Sequence, residues 1–133
     1  MRESRVKRIS RWVFGALFVA AGANHFANTS FYASIIPPYL PWHVALVYVS
    51  GLAEIGLGLM LVTTRFRVAA AWGLVALLIA VVPANLHMAL NPELYPWTPE
   101  FGLWLRLPLQ AVLIVWALWY TRPDQAPATL ADG

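Results

Sequence analysis

Asn24, His25, Glu54, Asn85, His87, Arg106 and Gln110 all stand in stretches too apolar to solvate them. Glu54 interrupts the run SGLAEIGLGLM, and Arg106 and Gln110 share the run LRLPLQ. An acid, a guanidinium, imidazoles and amides held away from water could hydrogen-bond the carbonyls of a flat lipophilic ligand such as a quinone, or pass a proton. Other chemistries fit less well. His25, Glu54 and His87 would be an acceptable ligand set, but no HxxxH or HxxE pair presents two ligands from one helix, so no metal site is expected. Ser50 stands inside an apolar run, close to a glycine face and with no base at a defined spacing, which argues against nucleophilic catalysis. The glycines lie inside those runs and not in a loop opening a helix, so a phosphate cradle is absent. No catalytic set is complete, which points to no catalytic activity of the chain's own. A competing reading is that the same polar groups lock helices in register.

The elements that must position these groups are membrane spans. The chain has 133 residues, 60% hydrophobic and 11% charged, against roughly half apolar in an ordinary soluble domain. It has no cysteine, which excludes disulfides, thiolate metal sites and thiol redox chemistry. A bilayer core of about 30 Å needs about 20 predominantly apolar residues per helix. Segments 9–26, 44–62, 68–90 and 102–120 qualify, joined by short connections. The expected fold is all-α: a four-transmembrane-helix antiparallel bundle forming a single domain over residues 1–122, followed by a short tail over 123–133. The start also imitates a signal peptide, with Ala21, Gly22 and Ala23 as cleavage-site residues, but these small residues serve equally as packing positions.

Orientation follows from the cations. Arg2, Arg5, Lys7, Arg8 and Arg11 precede the first span, Arg65 and Arg67 lie between the second and third, and Arg122 follows the fourth. The other two connections carry none. Both termini are therefore expected in the cytoplasm of a multi-pass plasma (inner) membrane protein, with the N-terminal basic residues against the anionic leaflet. The net charge of +3 is not arranged as a groove-lining patch, so nucleic acid is not an expected partner. The outer connections are rich in aromatics and proline; the first is expected as an interfacial linker, with a lid over the bundle as the alternative.

Glu54 lies eleven residues beyond His43, about 16 Å below the outer end of its helix at 1.5 Å per residue. Gly51 and Gly58, at i−3 and i+4, share its face and permit close approach of a neighbour. In the first span Gly15, Phe18, Gly22 and His25 follow one stripe, with Asn24 beside it. In the third, Ala69, Gly73, Ala76, Ala80 and Ala84 form a ladder of small residues ending at His87, expected to pack closely. Asn85 is about 200° around that helix from His87, so the two are not expected in one site. Arg106 and Gln110 share a face. The expectation is that Arg106 turns inward to pair with Glu54, directly or through Gln110 or water; snorkelling to the outer headgroups is the alternative. Pro83 and Pro108 should kink or loosen their helices.

The order of GANHF, FYASIIPPYLPW, SGLAEIGLGLML, RFRVAAAWG, PANLHMALNP and LWLRLPLQ resembles the DoxX-like family of small four-helix membrane proteins over nearly the whole chain, from about Arg11 to Tyr120. By position, Asn24, His25, Glu54, Asn85, Arg106 and Gln110 match that family's recurrent polar positions. The resemblance implies an accessory or anchor subunit near quinone-linked redox chemistry, with a membrane oxidoreductase as partner and homo-oligomerisation as a further option. It requires no cofactor and admits a quinone. Broader relatives carry a lysine near the end of the first helix where this chain has Asn24 and His25. Two other functions fit the same residues: a non-catalytic assembly factor for a partner membrane protein, and a small oligomeric transporter.

Overall fold

The computed structural model describes residues 3–124, and every one of its regular elements is helical. Of the tail expected over 123–133, residues 125–133 lie outside the described part, as does Arg2. The elements are α1 (Arg5–Ala27), α2 (Thr29–Ile35), α3 (His43–Leu61), α4 (Arg67–Ala80), α5 (Val82–Leu90), a 3-10 turn (Pro92–Leu94) and α6 (Glu100–Thr121). Three stretches are long and apolar enough to cross a membrane: His43–Leu61, Arg67–Leu90 (α4 and α5 together) and Glu100–Thr121. Helix α1 is long enough too, but Arg11, Asn24 and His25 dilute its apolar stretch.

The helices close into a bundle of antiparallel neighbours. Helices α1 and α3 meet through paired glycines: a Cβ at Gly22 would lie 2.6 Å from the Gly51 carbonyl oxygen, and one at Gly15 would lie 2.8 Å from that of Gly58. Only hydrogen fits at those positions, so the two backbones lie against each other. Helix α3 passes its far face to α4, where Leu57 fills the space above Gly73. Helix α6 returns beside α4 and α5, and Ser10, Trp116 and Tyr120 hydrogen-bond one another to tie α1 to α6.

Two apolar clusters divide this bundle along its length. One, near the chain termini, contains Phe14, Phe18, Leu61, Leu74 and Ala117. The other, at the opposite end, contains Ile35, Met88, Ala89, Tyr95 and Leu103. Between them lies a polar layer, contributed by the lower-hydropathy positions of α1, α3, α5 and α6.

Several expectations change here. The first connection is a lid, not a plain linker: Ile36, Pro37 and Pro38 end α2, Ile35 is buried in the second cluster, and Tyr95 Oη donates 2.8 Å to the Ser34 carbonyl. The ladder on the third span is not the buried face, since Ala69, Ala76 and Ala80 are exposed while Ala70, Ala71, Leu74, Val75 and Leu78 are buried. The buried stripe of α4 combines two alanines with Leu74, Val75 and Leu78, so residue size alone does not mark the inward face. Pro83 does break its helix: α4 ends at Ala80, Val81 is non-helical, and α5 restarts with Pro83 in its first turn. Helix α6 instead runs unbroken through Pro108.

Two of the N-terminal cations, Lys7 and Arg11, are also turned inward. Arg11 is 1% exposed, with Nη1 donating 2.6 Å to the Leu61 carbonyl and Nε donating 2.8 Å to Glu3. Lys7 Nζ reaches Asp124 at 3.0 Å, and Arg67 bonds both Asp124 and Glu3, the latter at 3.2 Å. This network clamps the start of α1, the α3–α4 corner and the end of α6. Arg5, Arg8, Arg65 and Arg122 remain exposed at the same end.

Candidate functional site

The polar layer surrounds a cavity of about 220 Å³, with His25, Tyr32, Ser50, Glu54, Asn85 and Arg106 on its wall. Each comes from a different constraint. The Gly22–Gly51 contact draws α1 onto α3 and brings His25 beside Glu54 and Ser50. The i, i+4 spacing of Ser50 and Glu54 puts both on the face that Gly51 and Gly58 dictate. Helix α2 lays Tyr32 on the His25 ring, with centroids 4.1 Å apart. The restart of α5 after Val81 turns Asn85 inward, and α6 presents Arg106 from the opposite side.

Glu54 is paired with His25, not with Arg106 as expected. His25 Nε2 lies 3.2 Å from Glu54 Oε2. The contact is out of line for a hydrogen bond, and Oε2 is buried with no hydrogen-bond partner. A buried acceptor left in that state costs about 1–3 kcal/mol, which a donor entering the cavity would recover. Among the described residues Arg106 meets no carboxylate; its one polar contact is the soft Met88 Sδ at 3.7 Å. The guanidinium stays inward at the cavity wall, half-buried, although it is not joined to the acid.

His25 Nδ1 faces the Ser50 hydroxyl at 3.2 Å and the Val47 carbonyl at 3.3 Å. A proton on Nε2 would face Glu54 and leave Nδ1 to accept from Ser50; in the other neutral tautomer Nδ1 donates toward the Val47 carbonyl and Nε2 can accept from Glu54 once that acid has taken up a proton of its own. Serine, histidine and acid thus lie in the order of a hydrolase triad; no base stands at a defined spacing from Ser50 in the sequence, and the histidine comes from another helix. The resemblance stops at the residue types. The Ser50 hydroxyl also lies 3.0 Å from the Val47 carbonyl, the ordinary back-bond of a helical serine, and backbone N–H groups inside α3 are held by the helix, leaving no pair for an oxyanion. The geometry suits binding and proton exchange.

The other expected residues divide. Asn85 lies on the cavity wall and donates 2.8 Å to Gln110 Oε1, while Gln110 donates in turn to the Leu78 carbonyl. Gln110, 4% exposed, therefore ties α4, α5 and α6 together and lines a neighbouring cleft, not the His25 cavity. Asn24 sits at the rim, donating 2.6 Å to Tyr32 Oη and accepting 2.5 Å from Asn28. It holds the lid. His87 is not part of the site: its Nδ1 is 3.2 Å from Asn91 Nδ2 and its ring meets Tyr95 edge-on, on the side of the helix away from Asn85. No group of three or more His, Asp or Glu side chains among the described residues could hold a metal ion.

Residues 14–121 match a family described as a domain of unknown function (DUF8561). The chain belongs to that family. The matched segment contains every polar residue of the cavity, but of the terminal ion network it contains only Arg67. No curated protein and no solved structure matches the chain significantly.

Proposed function

We propose that the chain is a four-span protein of the plasma (inner) membrane with both termini cytoplasmic, and that its cavity receives the head of a lipophilic, carbonyl-bearing molecule of the quinone class. On this reading it acts as an accessory or anchor subunit beside a membrane oxidoreductase and performs no catalysis alone. Three helices have the length and hydropathy of spans, and α1 lies antiparallel along α3 through the Gly15–Gly58 and Gly22–Gly51 contacts, at the same depth. The outer surface supports a bilayer setting: Leu17, Leu52, Ile79, Val112 and Val115 are each more than half exposed, and together they leave an apolar belt that water would not tolerate. Exposed arginines gather at one end and Glu93 and Glu100 at the other, the asymmetry of a positive-inside protein. The oxidoreductase partner rests on the resemblance to DoxX-like proteins.

One observation carries the ligand reading. A buried carboxylate oxygen without an aligned donor and an arginine without a carboxylate face the same cavity, where a ligand bearing both a donor and an acceptor would satisfy them. A quinone accepts from Arg106 and Asn85; a quinol donates to Glu54 or His25, and the His25–Glu54 pair can exchange the proton. Binding is to be measured by tryptophan quenching, with a benzoquinol analogue, whose hydroxyls both donate and accept, titrated into protein in lipid nanodiscs. Glu54→Gln and Arg106→Ala should each weaken it about tenfold or more. Unchanged affinity in both variants, with insertion and thermal stability intact, would leave the polar layer as a device for helix register and favour the assembly-factor reading, for which the Asn85–Gln110–Leu78 chain is the structural support.

A further inference from the structure

A second void adjoins the first. Between α3 and the α4–α5 break runs a cleft of about 300 Å³ whose wall includes Leu46, Ala53, Leu77, Ala80 and Pro83. It shares Ile36, Ser50, Val81 and Ala84 with the polar cavity, so the two voids adjoin across these side chains and the lining changes there from polar to apolar. The cause is local. Val81 leaves the helix and Pro83 cannot donate to Ile79, so the third rod does not pack continuously against α3 at this depth. Leu40, Leu46 and Val49 border the cleft and are exposed, which opens it toward the surrounding acyl chains.

We infer that the ligand is a single-tailed amphiphile with an uncharged head, and that this cleft is both its entrance from the bilayer and the seat of the first carbons of its tail. The inference rests on the proposed occupation of the polar cavity by a head group, and it adds the tail. Three features carry it. The cleft adjoins the cavity through four shared lining residues, whereas the apolar groove along Trp12, Ala16 and Val19 shares none of the cavity's lining. The cavity wall offers one acid, one imidazole and one guanidinium, with no cluster of like charge to hold an ionic head. Lid residues Ile36 and Pro37 lie over the cleft, so a tail that left upward would have to displace α2, while a tail that left sideways meets only side chains facing the acyl chains.

A tail already solvated by lipid gains no hydrophobic free energy from the cleft, because lipid chains are as apolar as leucine. Its gain comes from shape and from restricting the head, so the effect is about tenfold and not larger. The test compares a tail-less benzoquinone with the same ring carrying a decyl chain, in phospholipid nanodiscs, with affinities expressed per mole fraction in the bilayer. The decyl probe should bind about tenfold tighter, and Ala80→Phe, at an exposed position that lines the cleft but not the cavity, should remove that advantage while leaving the tail-less probe unaffected. Equal binding of the two probes to the unmodified protein, or an equal loss of both in Ala80→Phe, would overturn the tail site. Failure of the tail-less probe to bind at all would instead overturn the head-group reading. An independent check uses a decyl probe with a photoreactive diazirine in its tail: labelling should concentrate in residues 46–53 and 77–84, and labelling of Val112 and Val115 on α6 to the same extent would refute the cleft.

Discussion

The two charged regions of this bundle solve the burial of ions in opposite ways. At the terminal end, Lys7, Arg11, Arg67, Glu3 and Asp124 are so arranged that each cation meets a carboxylate or a backbone carbonyl within hydrogen-bond reach. At mid-depth, Glu54 faces an off-line imidazole and Arg106 a thioether, with a void between them. Charges closed on one another hold helices together and have nothing left to offer a ligand. The open set is poor at holding helices and retains its hydrogen-bonding capacity, so the same residue types do structural work at one end and are available for chemistry in the middle.

The largest expected effect breaks the closed region. Arg11→Ala removes a buried cation from Glu3 and from the Leu61 carbonyl, and should destabilise the protein by about 3–5 kcal/mol while leaving ligand affinity of the folded fraction unchanged. Thermal unfolding in mild detergent, with binding measured on the monodisperse fraction, checks both halves; a loss of affinity without loss of stability would erase the contrast. Next comes the joint between the regions. Gly22→Ala puts a methyl against the Gly51 backbone oxygen, where nothing flexible can yield, and should cost about 1–3 kcal/mol and weaken binding as well, because His25 moves off α3. Gly56→Ala meets nothing within 4 Å and should stabilise α3 by about 0.5–1 kcal/mol through helix propensity, which makes it the matched control. In the open region the sign reverses: Glu54→Gln replaces an imperfectly satisfied buried acid by a neutral isostere, and should raise stability by up to about 1 kcal/mol while binding falls. Parallel melting curves and titrations on the same preparation separate the two effects.

Much of the bundle was legible because it depends on local rules. The glycines at i−3 and i+4 of Glu54 named the face that meets α1, and Pro83 named the place where the third rod breaks. The turn of about 200° between Asn85 and His87 placed them on different sides of their helix. Partner choice was not legible, because pairing depends on which helices touch. Glu54 and Arg106 share the cavity wall, yet the α1–α3 glycine contact puts His25 nearer to the acid than α6 can bring its arginine. Tyr32 could not be assigned to the cavity while residues 28–42 were read as a linker; it enters only because α2 folds back over the bundle. The ladder of alanines misled for a related reason: small residues permit close packing but do not require it, and Ala70, Ala71 and Leu74 took the inward positions.

The smallest effect concerns pH and is read in the closed region. Burial by itself would raise the Asp124 carboxyl, but hydrogen bonds from Lys7 and Arg67 and the field of both cations outweigh it and hold the group below its ordinary value. The unfolded chain keeps an ordinary aspartate near about 3.9. From pH 7 down to about 5 both states are ionised and stability does not change through this group. Below that the unfolded state takes up the proton first, so the contribution of Asp124 declines as pH falls and is gone once the folded carboxyl has also protonated. Asp124→Asn should therefore lower the melting temperature at pH 7 and narrow its distance from the unmodified protein steadily toward pH 3. Other carboxyls titrate in both proteins, so the difference between the two curves is the readout. A gap that stays constant over this range would mean that the network holds α1 and α6 by shape and not by charge, and the contrast between closed and open ions would then rest on Arg11 alone.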